Sequence, residues 1–167
     1  RCSGRGERSC VQRVGAGNTQ WRSDRRLARH FGLPGAALRV QRLQVATPYG
    51  GTAFVYRTAS GTFRTDYYNG FITPPAELLT AALIDRLWRA GGFATVVDAT
   101  STVPARYVLE GNVTALYGDY GDPRSPKAII AMKLFVLDGQ NPEPRLAFQR
   151  DYHAATPIKP ASAPSLV

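Results

Sequence analysis

The segment Phe63–Val97, FRTDYYNGFITPPAELLTAALIDRLWRAGGFATVV, decides the fold. It reads as strand, stop, helix, glycine stop and strand, and it holds the one long helix signal of the chain. Pro74 and Pro75 stand where a helix begins, because the first turn makes no use of the N–H groups they lack. Thr73 is placed to act as N-cap, its hydroxyl accepting an orphan backbone N–H. Leu79, Leu83 and Leu87 recur every four residues, with Ala76, Ala82 and Ala90 nearby, so one face of the helix is apolar. Glu77 in the first turn and Arg86 and Arg89 in the last suit the helix dipole. Gly91 or Gly92 supplies the left-handed residue that closes the helix. Phe93–Val97, short, apolar and β-branched, follows as a strand.

Working outward, Leu38–Val45 (LRVQRLQV) reads as a first strand whose alternation slips. Leu38 and Val40 share one phase, Leu43 and Val45 the other, and a β-bulge near Gln41–Arg42 would bring all four to one face. Thr47–Gly51 is loop by composition, and Thr52–Arg57 and Phe63–Tyr68 form a hairpin about Ser60-Gly61. Beyond the helix, Tyr107–Tyr117 is a long strand with Gly111 as a candidate bulge. Lys127–Leu137 is apolar on both phases, which predicts a central strand covered on both faces. Asp138-Gly139 opens a hairpin loop to Arg145–His153, and the prolines from Pro157 onward predict an extended linker from Thr156.

The expected organisation is a basic, mostly irregular leader over 1–34, a single α/β domain over 35–156 and a Pro-rich tail over 157–167. Within the leader, Ser23–Phe31 is a candidate short helix. One helix covers one face of a small mixed sheet. The other face therefore calls for a further helix, another subunit or the leader.

The chain of 167 residues is long enough to bury a core, and it contains no apolar run approaching the ~20 residues of a membrane span. The net charge of +9 is uneven. Residues 1–34 hold eight Arg against Glu7 and Asp24, whereas residues 35–167 hold 13 basic and 10 acidic side chains. A basic leader on a near-neutral domain fits a linker, a membrane-surface tether or a nucleic-acid-binding arm. Cys2 and Cys10 both lie in the leader, where they can pair in an oxidising compartment but form no zinc motif.

Catalytic constellations are not legible. His30 and His153 are far apart, the acids are scattered, and no serine sits in a nucleophile elbow. Gly50-Gly51 and Gly91-Gly92 match neither phosphate-binding glycine pattern. The expectation is a protein that is not an enzyme and uses no metal or cofactor. Aromatic residues are the more informative feature. Tyr67, Tyr68 and Phe71 stand just before the helix, where they are candidates for a partner interface or for core packing.

The segments LRVQRLQV, AFVYR, DYYNGFITPPAELLTAALIDRLWRAGGFATVV and YVLEGNVTALYGDY together resemble the ABC-type transport auxiliary lipoprotein family, the PqiC/YmbA-like proteins. Val55-Tyr56-Arg57 resembles the family's short strand ending in Tyr-Arg, and Tyr67, Tyr68 and Phe71 its aromatic strand before the helix. Leu78-Leu79 through Leu87, Gly92-Phe93 and Tyr107–Val113 carry the remainder of a likeness that spans residues 37–153. The resemblance implies a small α/β fold similar to the TolB N-terminal and anticodon-binding-like folds. It implies a non-enzymatic periplasmic lipoprotein anchored to the outer membrane. Its partners would be a mammalian-cell-entry-type protein and inner-membrane transporter components of a lipid-transport system, with self-association into a homo-oligomer also open. Cys2 is the candidate for lipidation, although only Arg1 precedes it where the family has a lipobox. The family's second, C-terminal helix is missing before Val167, which suggests truncation. The alternative from another class is a nucleic-acid-binding module using the Arg-rich leader, with affinity that falls steeply with salt.

Overall fold

A computed structural model describes residues 35–140 and 142–158. The candidate helix Ser23–Phe31, Cys2 and Cys10 lie outside them. The chain builds β1 (Ala37–Val40), β2 (Gln44–Val45), a 3-10 turn (Thr47–Tyr49), β3 (Ala53–Arg57), β4 (Phe63–Gly70), α1 (Pro75–Ala90), β5 (Thr95–Asp98), β6 (Tyr107–Asp119), β7 (Lys127–Asp138) and β8 (Arg145–Pro157). Among the described residues these form one open, mixed, eight-stranded sheet with a single α-helix, the small α/β fold expected.

The long strand β6 organises the sheet. Along one edge it pairs antiparallel with β7 over nearly its whole length, and β7 in turn pairs with β8. Along the other edge it pairs in succession with β1, β2 and β3, all parallel. β5 lies outside β1, and β4 outside β3. The hairpin β3–β4 thus joins the sheet through only Tyr56↔Gly118 and Arg57↔Asp119.

The expected first strand is two short strands. Leu38 sits opposite Tyr107 and Val40 opposite Leu109, whereas Gln44 sits opposite Asn112, so the register slips by one residue across Gln41–Leu43. The slip works as the anticipated bulge: Leu38, Val40 and Leu43 are all buried and Val45 packs beside them. The freed backbone is satisfied. The Gln41 N–H donates to the Leu109 carbonyl at 2.8 Å, and the Leu43 N–H donates to Thr80 Oγ1 at 3.0 Å, which fixes the bulge to α1. The core forms where this bulge, Val96, Leu109, Val113, Leu134 and Val136 meet Leu87 of α1, with Leu79, Leu83 and Ile84 packed alongside.

Several local expectations are corrected. Pro74, not Thr73, is the N-cap, and no side chain caps the helix. The residue before a proline is held extended, here with ψ 139° at Pro74, so the helix cannot start before Pro75. Gly91 is the left-handed closing residue, with φ 67°. β5 begins at Thr95 rather than Phe93, because residues 92–94 turn the chain into the sheet while Phe93 packs against the core. Gly111 is not a bulge; it pairs squarely with Leu134, and the irregularity of β6 falls between Val113 and Ala115. Gly111 is needed for space, since a Cβ there would lie 2.5 Å from Leu43 Cδ2 and 2.6 Å from Leu134 Cδ2. β8 continues through Thr156 to Pro157, where a linker was expected, because its ladder with β7 runs on to Lys127↔Pro157.

β7 is flanked by strands on both sides, but α1 covers only one of its faces. Leu134 and Val136 are buried on the helix side, whereas on the other phase Ile129 is buried and Lys133, Phe135 and Leu137 are half-buried. The 99–106 loop is tied instead to β1, where its Ser101 and Val103 carbonyls accept hydrogen bonds from the Arg39 guanidinium at 3.3 and 2.8 Å. Arg106 ties the end of this loop to Asp138 with bonds of 3.2 and 2.8 Å.

Candidate partner-docking site

β4 carries a further irregularity of the sheet, at the outer edge of the hairpin. Thr65 opposes Val55, yet Gly70 opposes Ala53, so three residues of β4 have no counterpart on β3. The surplus folds into a tight knuckle. The Asp66 carboxylate accepts the Tyr68 N–H at 2.9 Å, the Asn69 N–H at 3.1 Å and the Asn69 Nδ2 at 2.9 Å. These bonds hold the Asp66 carboxyl below the usual carboxylate range, the Asn69 side chain contributing most. The far end is closed by the Phe71 N–H, which donates to the Thr52 carbonyl at 2.6 Å. Gly70 makes this approach possible: a Cβ would lie 2.6 Å from the Thr52 oxygen.

The knuckle separates the three candidate residues. Tyr67 and Tyr68 project from it, 91% and 97% exposed. Phe71 instead turns back and is half-buried, packing edge-on against Phe54 with ring centroids 4.6 Å apart. Ile72, next in the chain, is fully exposed. Phe71 is thus a footing for the knuckle, and the protruding set is Tyr67, Tyr68 and Ile72. Ile72 was not singled out from the sequence. The signal was present in Asp66, Asn69 and Gly70, which are turn residues inside a stretch that reads as strand.

The hairpin beneath the knuckle is braced where it meets β6. Arg57 Nε and Nη2 donate to the two oxygens of Asp119 at 3.0 and 2.7 Å, and the Tyr120 N–H donates to the Arg57 carbonyl at 2.9 Å. Asp119 also accepts the Gly121 N–H at 2.9 Å. Its carboxyl is held below the ordinary range, chiefly by the Arg57 hydrogen bonds, and Arg57 is raised in turn. Aromatic contacts continue the brace: Phe63 meets Tyr117 edge-on at 5.0 Å, and Tyr56 meets Tyr120 at 6.1 Å. Among the described residues, no group of three or more His, Cys, Asp or Glu side chains is placed to hold a metal ion. Among them, too, no helix is long and apolar enough to cross a membrane.

No protein-family model matches the sequence, and no curated protein matches it. Solved structures do resemble it. Protein XCC0632 from Xanthomonas campestris, of family DUF330, superposes with a TM-score of 0.65 at 19% identity, over 76% of this chain and 70% of that one. An uncharacterized protein gives 0.59 at 18% identity, over 74% and 79%. The hypothetical protein CT253 from Chlamydia trachomatis gives 0.52 at 10% identity, over 72% of each chain. At these identities the likeness is one of fold. DUF330 is the PqiC/YmbA-like family, the group that the sequence motifs resemble, so motif order and backbone architecture point to the same fold.

Proposed function

We propose that this protein is a non-enzymatic auxiliary component of an envelope lipid-transport system and works by docking a partner. The observation that carries the docking role is the knuckle. Two tyrosines stand almost wholly in solvent on a backbone pinned by Asp66, Gly70 and the Phe71–Thr52 hydrogen bond. A tyrosine presents a large apolar ring and a polar tip with few torsions to freeze, so a pair held on rigid backbone binds a partner at low entropic cost. The fold likeness to a DUF330 protein and the ordered motifs of the sequence support the transport setting. In this reading the partners are a mammalian-cell-entry-type protein and inner-membrane transporter components. The protein sits in the periplasm, tethered to the outer membrane through a lipid on Cys2.

The test is crosslinking and recovery of the full-length native protein from envelope membranes, read by mass spectrometry, for the wild type and for Tyr67→Ala/Tyr68→Ala. Recovery of a mammalian-cell-entry-type protein by the wild type, and its loss in the variant with the fold unchanged, is expected. Equal recovery by both would remove the knuckle from the interface. Recovery of nucleic acid without any envelope protein would overturn the transport setting. An acyl adduct on the peptide containing Cys2 is expected in the same spectra.

A further inference from the structure

The edge strands β2, β4, β5 and β8 are unequal, and β2 offers only two residues. β5 exposes only four residues, and β4 is broken by the knuckle. Short edges and bulged edges are the usual means of preventing strand addition. β8 has neither protection over most of its length. Among the described residues it pairs only with β7, although it runs for 13 residues. Its ladder skips Ala147, since Phe148 opposes Val136 and Leu146 opposes Leu137, and it ends at Pro157, which has no N–H to donate. Between these points lies a regular edge, Phe148–Thr156, with Tyr152 at its centre.

We propose that this edge is a self-association site, at which β8 of a second copy pairs antiparallel about a two-fold axis passing between the two Tyr152 residues. Such an axis, normal to the sheet, sets each residue opposite one on the same face of the strand. Side-chain chemistry selects the register. An axis at Arg150 would set arginine against arginine, and one at Asp151 would set carboxylate against carboxylate, both unfavourable as directly opposed pairs. The axis at Tyr152 sets Asp151 opposite His153 of the second copy, twice by symmetry, so a carboxylate acceptor meets an imidazole donor. Asp151 and His153 are both exposed, and Asp151 already lies 3.6 Å from Lys133 on the adjacent strand. The same register sets Gln149 opposite Ala155 and Phe148 opposite Thr156, with no like charges opposed. It also fills the run from bulge to proline without overhang. The two sheets then join into one, with both knuckles left at the far edges. The proposal is therefore independent of the docking role of Tyr67 and Tyr68.

Sedimentation velocity of the full chain over a range of concentrations, under reducing conditions that exclude Cys2 or Cys10 crosslinks, tests it. The wild type is expected to show a monomer–dimer equilibrium. His153→Asp opposes two acid pairs and is expected to weaken the dimer about tenfold, whereas His153→Lys is expected to tighten it. The register is tested with Asp151→Cys and His153→Cys, each made with Cys2 and Cys10 replaced by Ser. A mixture of the two chains should form a disulfide-linked heterodimer faster than either chain links to itself. A wild type that stays monomeric throughout, a dimer indifferent to both His153 substitutions, or no preference for the mixed crosslink would each overturn the proposal.

Discussion

Two irregularities of the sheet, the inner bulge after β1 and the outer knuckle of β4, use one device to opposite ends. At Gln41–Leu43 a single surplus residue turns inward, rephases the strand and buries Leu43. At Asp66–Asn69 the surplus turns outward, and the tyrosines it carries are among the most exposed side chains of the described structure. What differs is the source of hydrogen bonds for the displaced backbone. The inner bulge is satisfied by another strand and by Thr80 of the helix, so it is tied to the core. The outer one is satisfied by Asp66, its own neighbour, and is closed on β3 at the Phe71 N–H, and among the described residues no element covers its tyrosines. A bulge held by tertiary partners contributes to stability. One held by itself is free to serve another molecule.

If the inner bulge belongs to the core, it should be the costlier one to damage. Leu43→Ala removes a side chain only 2% exposed, packed near Gly111 and Leu134, and should lower stability by about 2–5 kcal/mol. Urea unfolding followed by circular dichroism checks this. A loss below about 1 kcal/mol would mean that the strand re-registers and the inner bulge is not fixed by burial.

Gly70→Ala tests whether the outer knuckle needs its close backbone approach. The new Cβ would meet the Thr52 carbonyl at 2.6 Å, and a backbone carbonyl cannot swing aside as a side chain can. A cost of about 1–3 kcal/mol is expected, with the largest rise in amide exchange at Phe71, whose N–H bonds the same oxygen. Unchanged exchange at Phe71 would show that the knuckle tolerates a wider closure.

The difference between the two bulges also marks what could be read from the chain. The inner bulge was visible because hydrophobic phase is a local pattern: Leu38 and Val40 against Leu43 and Val45 demanded a slip. The helix was visible for the same reason, through Leu79, Leu83 and Leu87. The outer knuckle was legible only in part. Tyr67 and Tyr68 stand out in the sequence as aromatics, yet their exposure depends on how β4 pairs with β3, which is not local information. Phe71 looked equivalent to them and is not, because Phe54, 17 positions earlier, provides a ring for it to pack against. Gly111 is ambiguous in the sequence because a glycine inside a strand signals either a bulge or close packing, and only the positions of Leu43 and Leu134 decide between them.

A smaller effect is expected from the tyrosines themselves. Tyr67→Ala and Tyr68→Ala remove rings that lie almost entirely in solvent, so each should change unfolding stability by less than about 0.5 kcal/mol. Loss of partner recovery without loss of stability is the signature of a surface held for binding. A stability loss comparable to that of Leu43→Ala would instead mean that the rings are covered in the full chain and would end the contrast between the two bulges.

The smallest expected effect is a pH dependence confined to the outer knuckle. Asp66 is held below its ordinary value of 3.8, first by the Asn69 side chain and then by the Tyr68 N–H, all of which favour the charged carboxylate. A carboxyl whose value is depressed by folding stabilises the folded form above its unfolded value. That contribution is lost as the pH falls through the lower, folded value. The knuckle should therefore stay closed from neutral pH down through 3.8 and open only in more acid solution. The inner bulge, whose bonds are made by backbone groups and a threonine hydroxyl, should not respond in that range. Amide exchange of Tyr68 and Asn69, measured against an Asp66→Ala variant at each pH, separates this opening from the intrinsic pH dependence of exchange. Protection of both amides at neutral pH that converges on the variant's only below the ordinary carboxylate value is the expected result. Equal exchange in the two proteins at neutral pH would show that Asp66 does not pin the knuckle, and the rigidity on which the docking role rests would have to come from Gly70 and Phe71 alone.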